Sequence, residues 1–105
     1  MTEPADVVHV YWRPGCMFCS VLRRGLAKAG IDTIEHDIWD DPADAAIVRR
    51  HADGNETVPT VVIGDAGMVN PTARQVAEHL AAHAPHLLPP DFEPPRDGLI
   101  SRLLH

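Results

Sequence analysis

Two cysteines stand two residues apart in RPGCMFCSVLRRGLAKAG (residues 13–30), at the joint between two differently patterned segments. Ahead of them, VVHVYW (7–12) is β-branched and aromatic, and Val8, Val10 and Trp12 alternate with the other set. That run predicts a buried strand. Behind them, Phe18, Val21, Leu22, Leu26 and Ala29 recur at helical spacing from Met17 to Ala29, opposite Arg23, Arg24 and Lys28. Gly30 supplies the C-terminal stop. A strand that runs straight through a Cys-x-x-Cys into a helix places Cys16 at a helix N-terminus. The chain has no other cysteines, too few for a small fold stapled by disulfides.

The rest of the chain extends this strand–helix unit. TIEHDI (33–38) predicts a second strand with Ile34, His36 and Ile38 on one side. Asp41-Pro42 is an N-cap acid followed by proline at the first helical position, opening a helix to about His51 that ends near Gly54. TVPTVVIGDAGMVN (57–70) predicts two short strands about the turn GDAG, with Gly64 and Gly67 free to take unusual backbone angles. Asn70-Pro71 repeats the cap-plus-proline signal before a third helix over 72–82. The order β-α-β-α-β-β-α begins with a parallel pair joined by a right-handed crossover and adds an antiparallel hairpin. The expected fold is α/β, with a mixed central sheet of about four strands flanked by helices.

The domain is expected to span residues 1–84, and residues 85–105 to form a C-terminal extension. Five prolines between Pro85 and Pro95 favour an extended, polyproline-like path. Beyond them Leu99, Ile100, Leu103 and Leu104 fall at helical spacing, a short amphipathic segment suited to packing on the domain or on a partner.

Composition narrows the classes. The 105 residues carry a net charge of −6, which argues against nucleic acid, since phosphate binding needs clustered Lys and Arg. The acidic stretch Asp37–Asp44, interrupted by Ile38, Trp39 and Pro42, reads as a solvated face. No apolar run approaches the roughly 18 residues of a membrane span, and MTEPADVVHV lacks the pattern of a secretory signal. The expectation is a cytoplasmic, reducing setting.

In that setting the cysteine pair has a specific chemistry. Unpaired N–H groups and the helix dipole favour an anion at Cys16, so the thiolate, the species that attacks disulfides, is favoured there. Arg13, three residues earlier, adds positive charge. Cys19, one turn along, can resolve a mixed disulfide formed on Cys16. Farther on, Pro59 interrupts the strand-like run Thr57-Val58-Pro59-Thr60. A cis Val58-Pro59 bond accounts for it and leaves backbone groups of Val58 for an extended thiol substrate; a plain edge-strand proline is the alternative. A zinc module through Cys16, Cys19, His79 and His83 has the right ligand types. The gap from Cys19 to His79 is too long for a finger, and those histidines are expected on the exposed side of the third helix. His9 and His36 read as strand residues with ordinary partners.

Over residues 6–84 the chain resembles a glutaredoxin of the thioredoxin-fold superfamily. The resemblance rests on the strand–Cys16-Met17-Phe18-Cys19–helix unit, on Thr57-Val58-Pro59, and on the turn before Asn70. Phe18 stands where glutaredoxins usually carry an aromatic, and Gly15 where thioredoxins have tryptophan. The stretches Gly54–Val61 and Val69-Asn70-Pro71-Thr72 look most like mycoredoxins, which use mycothiol in place of glutathione. Typical glutathione sites have Gly-Gly or Gly-Ser followed by Asp at the start of the last helix; this chain has Met68-Val69-Asn70-Pro71-Thr72. The resemblance implies a thioredoxin fold and a thiol–disulfide oxidoreductase with Cys16 as nucleophile and Cys19 as resolving thiol. It implies substrate contacts from Arg13, Met17, Phe18, Thr57, Val58, Pro59, Asn70 and Thr72. The implied co-substrate is mycothiol, with thiolated or disulfide-containing proteins as partners. A monomer with no bound cofactor or metal is expected. Two alternatives stand beside it: a small redoxin reduced directly by thioredoxin reductase, and an iron–sulfur scaffold, although scaffolding relatives usually have serine where this chain has Cys19.

Overall fold

The computed structural model describes residues 7–90. Its elements are β1 (Val8–Trp12), α1 (Met17–Lys28), β2 (Ile34–Asp37), α2 (Pro42–His51), β3 (Thr60–Ile63), β4 (Ala66–Val69) and α3 (Ala73–His83), followed by a 3₁₀ turn at Pro85–Leu87. The sheet order is β2-β1-β3-β4. β1 pairs in parallel with β2 and antiparallel with β3, and β3 pairs antiparallel with β4. This is the thioredoxin-like α/β arrangement.

Alternation along β1 and β3 supplies two cores. Val8, Val10, Val61 and Ile63 point to one face, where Leu22, Leu26, Val76 and Leu80 from α1 and α3 cover them. Tyr11 and Val62 point to the other, packed with Ile38, Ala45, Val48 and Ala52 on the α2 side. A central strand buried on both faces reads as a nearly continuous apolar run, as VVHVYW does.

α1 stops at Gly30 as the sequence predicts, while several other features differ from expectation, each for a local reason. α1 ends in a Schellman motif: Gly30 N–H donates to Ala27 O and Ile31 N–H to Leu26 O, both at 3.0 Å, with Gly30 at φ 75°. Its buried stripe is Cys19, Leu22 and Leu26, whereas Phe18 and Val21 face solvent. β2 is an edge strand, so Ile34 is exposed, and Ile38 is buried only after the strand has ended. The β3–β4 loop is Gly64-Asp65 alone, with Gly64 at φ 59°. Gly67 lies inside β4, where the His51 ring packs against its backbone and leaves no room for a Cβ.

The largest shift is at α3. Asn70 takes the left-handed region (φ 52°), which an N-cap does not. The cap is Thr72: its hydroxyl accepts from Gln75 N–H at 3.0 Å while Gln75 Oε1 accepts from Thr72 N–H at 2.9 Å, a complete capping box. At the end of the described chain, the 3₁₀ turn departs from the expected extended path. Proline at its first position suits the helical φ, and Leu87 and Leu88 lie half-buried against the α1/α3 core. The amphipathic segment at Leu99–Leu104 lies outside the described residues. No helix among those described is long and apolar enough to cross a membrane.

His9 and His36 have partners: His9 Nδ1 and His36 Nε2 are 2.9 Å apart, and His36 Nδ1 lies 3.6 Å from Asp44 Oδ2. His79 and His83 are successive-turn neighbours on α3 with ring centroids 4.6 Å apart. Among the described residues, no group of three or more His, Cys, Asp or Glu side chains is placed to hold a metal ion.

Candidate active site

Cys16 is the N-cap of α1, extended at φ −91° and ψ 108°, on the chain that leaves the C-terminal end of β1. Its sulfur accepts a hydrogen bond from Cys19 N–H at 3.1 Å, so it fills the role a Ser or Asp oxygen has at other helix starts. Cys19, one turn on, is fully buried, and the two sulfurs are joined in a disulfide with Cα atoms 5.2 Å apart. Reduction of that bond leaves the half-buried Cys16 sulfur facing the backbone donor, with Cys19 beneath it. An amide N–H aimed at a sulfur at a helix N-terminus stabilises thiolate.

The Val58-Pro59 segment meets this pair from across the sheet. The Val58–Pro59 peptide is cis, and the Val58 carbonyl oxygen lies 3.9 Å from the Cys16 sulfur. Pro59 is not on an edge: it is buried and precedes β3, an inner strand. Flanking hydrogen bonds fix the loop. Thr60, itself fully buried, donates from Oγ1 to the Thr57 carbonyl at 2.8 Å, and Asn70 N–H donates to the Pro59 carbonyl at 2.7 Å. The unusual φ of Asn70 therefore ties the end of β4 to the loop facing Cys16.

The residues expected around this centre divide into two groups. Val58, Pro59 and Asn70 are joined to Cys16 through the contacts above. The Thr72 hydroxyl is engaged in capping α3, two residues beyond Asn70. Met17 and Phe18 project into solvent at 77% and 68% exposure. Arg13 donates to the Pro14 carbonyl and its guanidinium lies over the Trp39 ring at 5.7 Å. It also lines an open pocket of ≈ 400 Å³ with Cys16, Trp12, Gly15, Met17, Ser20, Arg23 and Arg24. The sequence expectation for the site does not include Trp12, Gly15, Ser20, Arg23 or Arg24. Helical spacing carries the signal for three of them: Ser20, Arg23 and Arg24 stand four, seven and eight residues after Cys16, along the face of α1 that Cys16 heads.

Comparison with known proteins adds three kinds of finding. The family model described as Glutaredoxin matches residues 8–67. No curated protein sequence matches the chain. Among solved structures, the thioredoxin-like protein BC3987 superposes with TM-score 0.63 at 23% identity, over 70% of this chain and 94% of that one. Glutaredoxin from Archaeoglobus fulgidus gives TM-score 0.59 at 22% identity, over 70% and 84%. The glutaredoxin-like NrdH-redoxin from Escherichia coli, described as having a thioredoxin-like activity profile, gives 0.52 at 26% identity, over 59% and 79%.

Proposed function

This chain belongs to the glutaredoxin family, and from that premise we propose that it reduces mixed disulfides between proteins and a low-molecular-weight thiol, with mycothiol as that thiol. The observation that carries the reading is the Cys16 sulfur, which caps α1, bonds to Cys19 and faces the Val58 carbonyl. In the first step the Cys16 thiolate attacks the small-thiol sulfur of protein–S–S–R. A bond forms between the Cys16 sulfur and the small-thiol sulfur, the sulfur–sulfur bond of the protein–S–S–R disulfide breaks, and the protein leaves as a thiolate that takes a proton from water. A second small thiol, as thiolate, then attacks the R sulfur, releasing R–S–S–R and restoring the Cys16 thiolate. The two electrons come from the two small thiols. In the dithiol branch Cys19 attacks the Cys16 sulfur instead, expelling the small thiolate and closing the Cys16–Cys19 bond. Two further thiols reopen it.

Mycothiol is favoured over glutathione by what stands before α3. Where the resemblance leads one to expect two small residues and an acid, the chain has Met68, Val69 and a left-handed Asn70, then Pro71 and the capping Thr72. These groups are neutral and suit a sugar thiol better than a peptide with an ammonium and a carboxylate to neutralise. The protein acts as a monomer in a reducing cytoplasm, with neither metal nor organic cofactor.

A second reading, direct reduction by thioredoxin reductase, draws support from the likeness to NrdH-redoxin. One assay separates the two. The oxidised protein is offered mycothiol with its reductase, glutathione with its reductase, or thioredoxin reductase alone, and NADPH consumption is followed. Turnover with mycothiol is expected; turnover with thioredoxin reductase alone overturns the small-thiol assignment. Cys16→Ser is expected to fall to the uncatalysed background. Cys19→Ser should accumulate the Cys16–S–S–R adduct, visible as the added mass of one small thiol.

A further inference from the structure

The open pocket beside Cys16 has a charge opposite to that of the chain. Its lining holds three arginines, Arg13, Arg23 and Arg24, and no acidic residue, in a protein whose net charge is −6. Two of the guanidinium groups are oriented by indoles. Arg23 lies over the Trp12 ring at 4.3 Å and pairs through Nη2 with Glu35 at 2.6 Å. Arg13 lies over Trp39 at 5.7 Å. Stacking holds a guanidinium plane while its N–H edges stay available for a carboxylate. Among the described residues no ion pair engages Arg13 or Arg24, so the positive charge of this wall is only partly balanced by Glu35. Exposed Met17 adjoins the arginines in the same lining.

We infer that this pocket receives an acidic segment flanking the cysteine of the protein half of the mixed disulfide, and that Arg24 selects for it. The inference rests on the oxidoreductase reading above and deepens it by naming the class of protein substrate. The neutral small thiol is assigned to the Val58–Asn70 side, and none of Thr57, Val58, Pro59, Asn70 or Thr72 lines this pocket. A sugar thiol presents no anion to three arginines. A protein segment with Asp or Glu beside its cysteine does, and the arginine fork accepts carboxylates in two-point contacts. On a molecule that otherwise repels acidic partners, such a patch orients as well as attracts them.

The test uses three peptides of equal length, each with one cysteine flanked by Asp, Asn or Lys, and each disulfide-bonded to neutral mercaptoethanol. A fourth substrate places the carboxylate on the other half: the Asn peptide disulfide-bonded to mercaptoacetate. Peptide-thiol release is measured at low and high salt, with free mercaptoethanol as the second thiol that returns Cys16 to the thiolate in each turnover and the uncatalysed rate subtracted. The Asp peptide should exceed the Lys peptide in kcat/KM by about three- to tenfold, the range for a few exposed ion pairs. The ratio should shrink as salt rises, and Arg24→Glu should invert the order. Equal rates for the three peptides, or an order unchanged in Arg24→Glu, overturn the inference while leaving the oxidoreductase reading intact. A gain from mercaptoacetate as large as that from Asp assigns the pocket to the small thiol and likewise overturns it. Absence of exchange with every substrate sinks the oxidoreductase reading, and the inference with it.

Discussion

At the scale of single residues, Cys16 holds two positions at once: its sulfur caps a helix and belongs to the redox pair. Serine is among the best N-caps, so Cys16→Ser removes the chemistry while keeping the hydrogen bond from Cys19 N–H. Tyr11 has a different kind of double role. It is buried at 4% exposure and stacked on His36 at 4.6 Å between centroids. Burial raises its pKa above the ordinary value of 10.0, Asp44 raises it further, and Arg50 pulls it down. The folded protein therefore holds the phenolic proton more tightly than the unfolded chain. The stability this contributes is fully present below the unfolded value of 10.0 and is lost as pH rises through the folded one. Urea midpoints should accordingly fall more steeply above about pH 10 in the native protein than in Tyr11→Phe.

At the scale of elements, the contact between α1 and α3 decides a substitution that helix propensity alone gets wrong. Gly25 lies inside α1, where Gly→Ala ordinarily gains about 1 kcal/mol. A Cβ built there meets the Ala73 Cβ of α3 at 2.8 Å. Neither atom is the end of a flexible side chain, so one helix must move. Gly25→Ala is expected to lose about 1–3 kcal/mol net and to lower the melting temperature by several degrees, followed by circular dichroism. Pairing it with Ala73→Gly should recover part of the loss. Helix starts show how far local signals reach. Asp41 caps α2 as its sequence suggests, accepting from Ala43 N–H at 2.9 Å. The same cap-plus-proline signal at Asn70-Pro71 belongs to a turn instead, because Asn70 is drawn into a left-handed conformation that delivers its N–H to Pro59.

At the scale of the whole molecule, the sheet is closed on one face by α1 and α3 and on the other by α2, and the chain after α3 adds to the first layer. Leu87 and Leu88 lie partly buried on that core, and a Cβ at Gly30 would touch the Pro89 ring at 3.2 Å. Truncating Leu87 and Leu88 to alanine should cost about 1–2 kcal/mol each, less than a fully buried leucine. Peptide-disulfide turnover should be unchanged, because neither residue lines the redox site. Urea denaturation and the exchange assay measure the two effects separately.

What the amino-acid sequence determined by itself is the part governed by short-range physics. Alternation in VVHVYW, the helical stripe through Leu22 and Leu26, the Asp41 cap and the Cys16–Cys19 spacing are written in neighbouring residues. They specify the order of elements, the α/β class and the reactive pair. The family resemblance pointed to Val58, Pro59 and Asn70, but tertiary structure alone decided how distant segments are held around Cys16 and its arginines. Val58 arrives through the position of β3 beside β1, Asn70 through a backbone bond to Pro59, and Trp39 and Glu35 by orienting arginines from outside α1. Those contacts depend on the packing of segments distant in sequence, and periodicity within a segment carries no record of its neighbours.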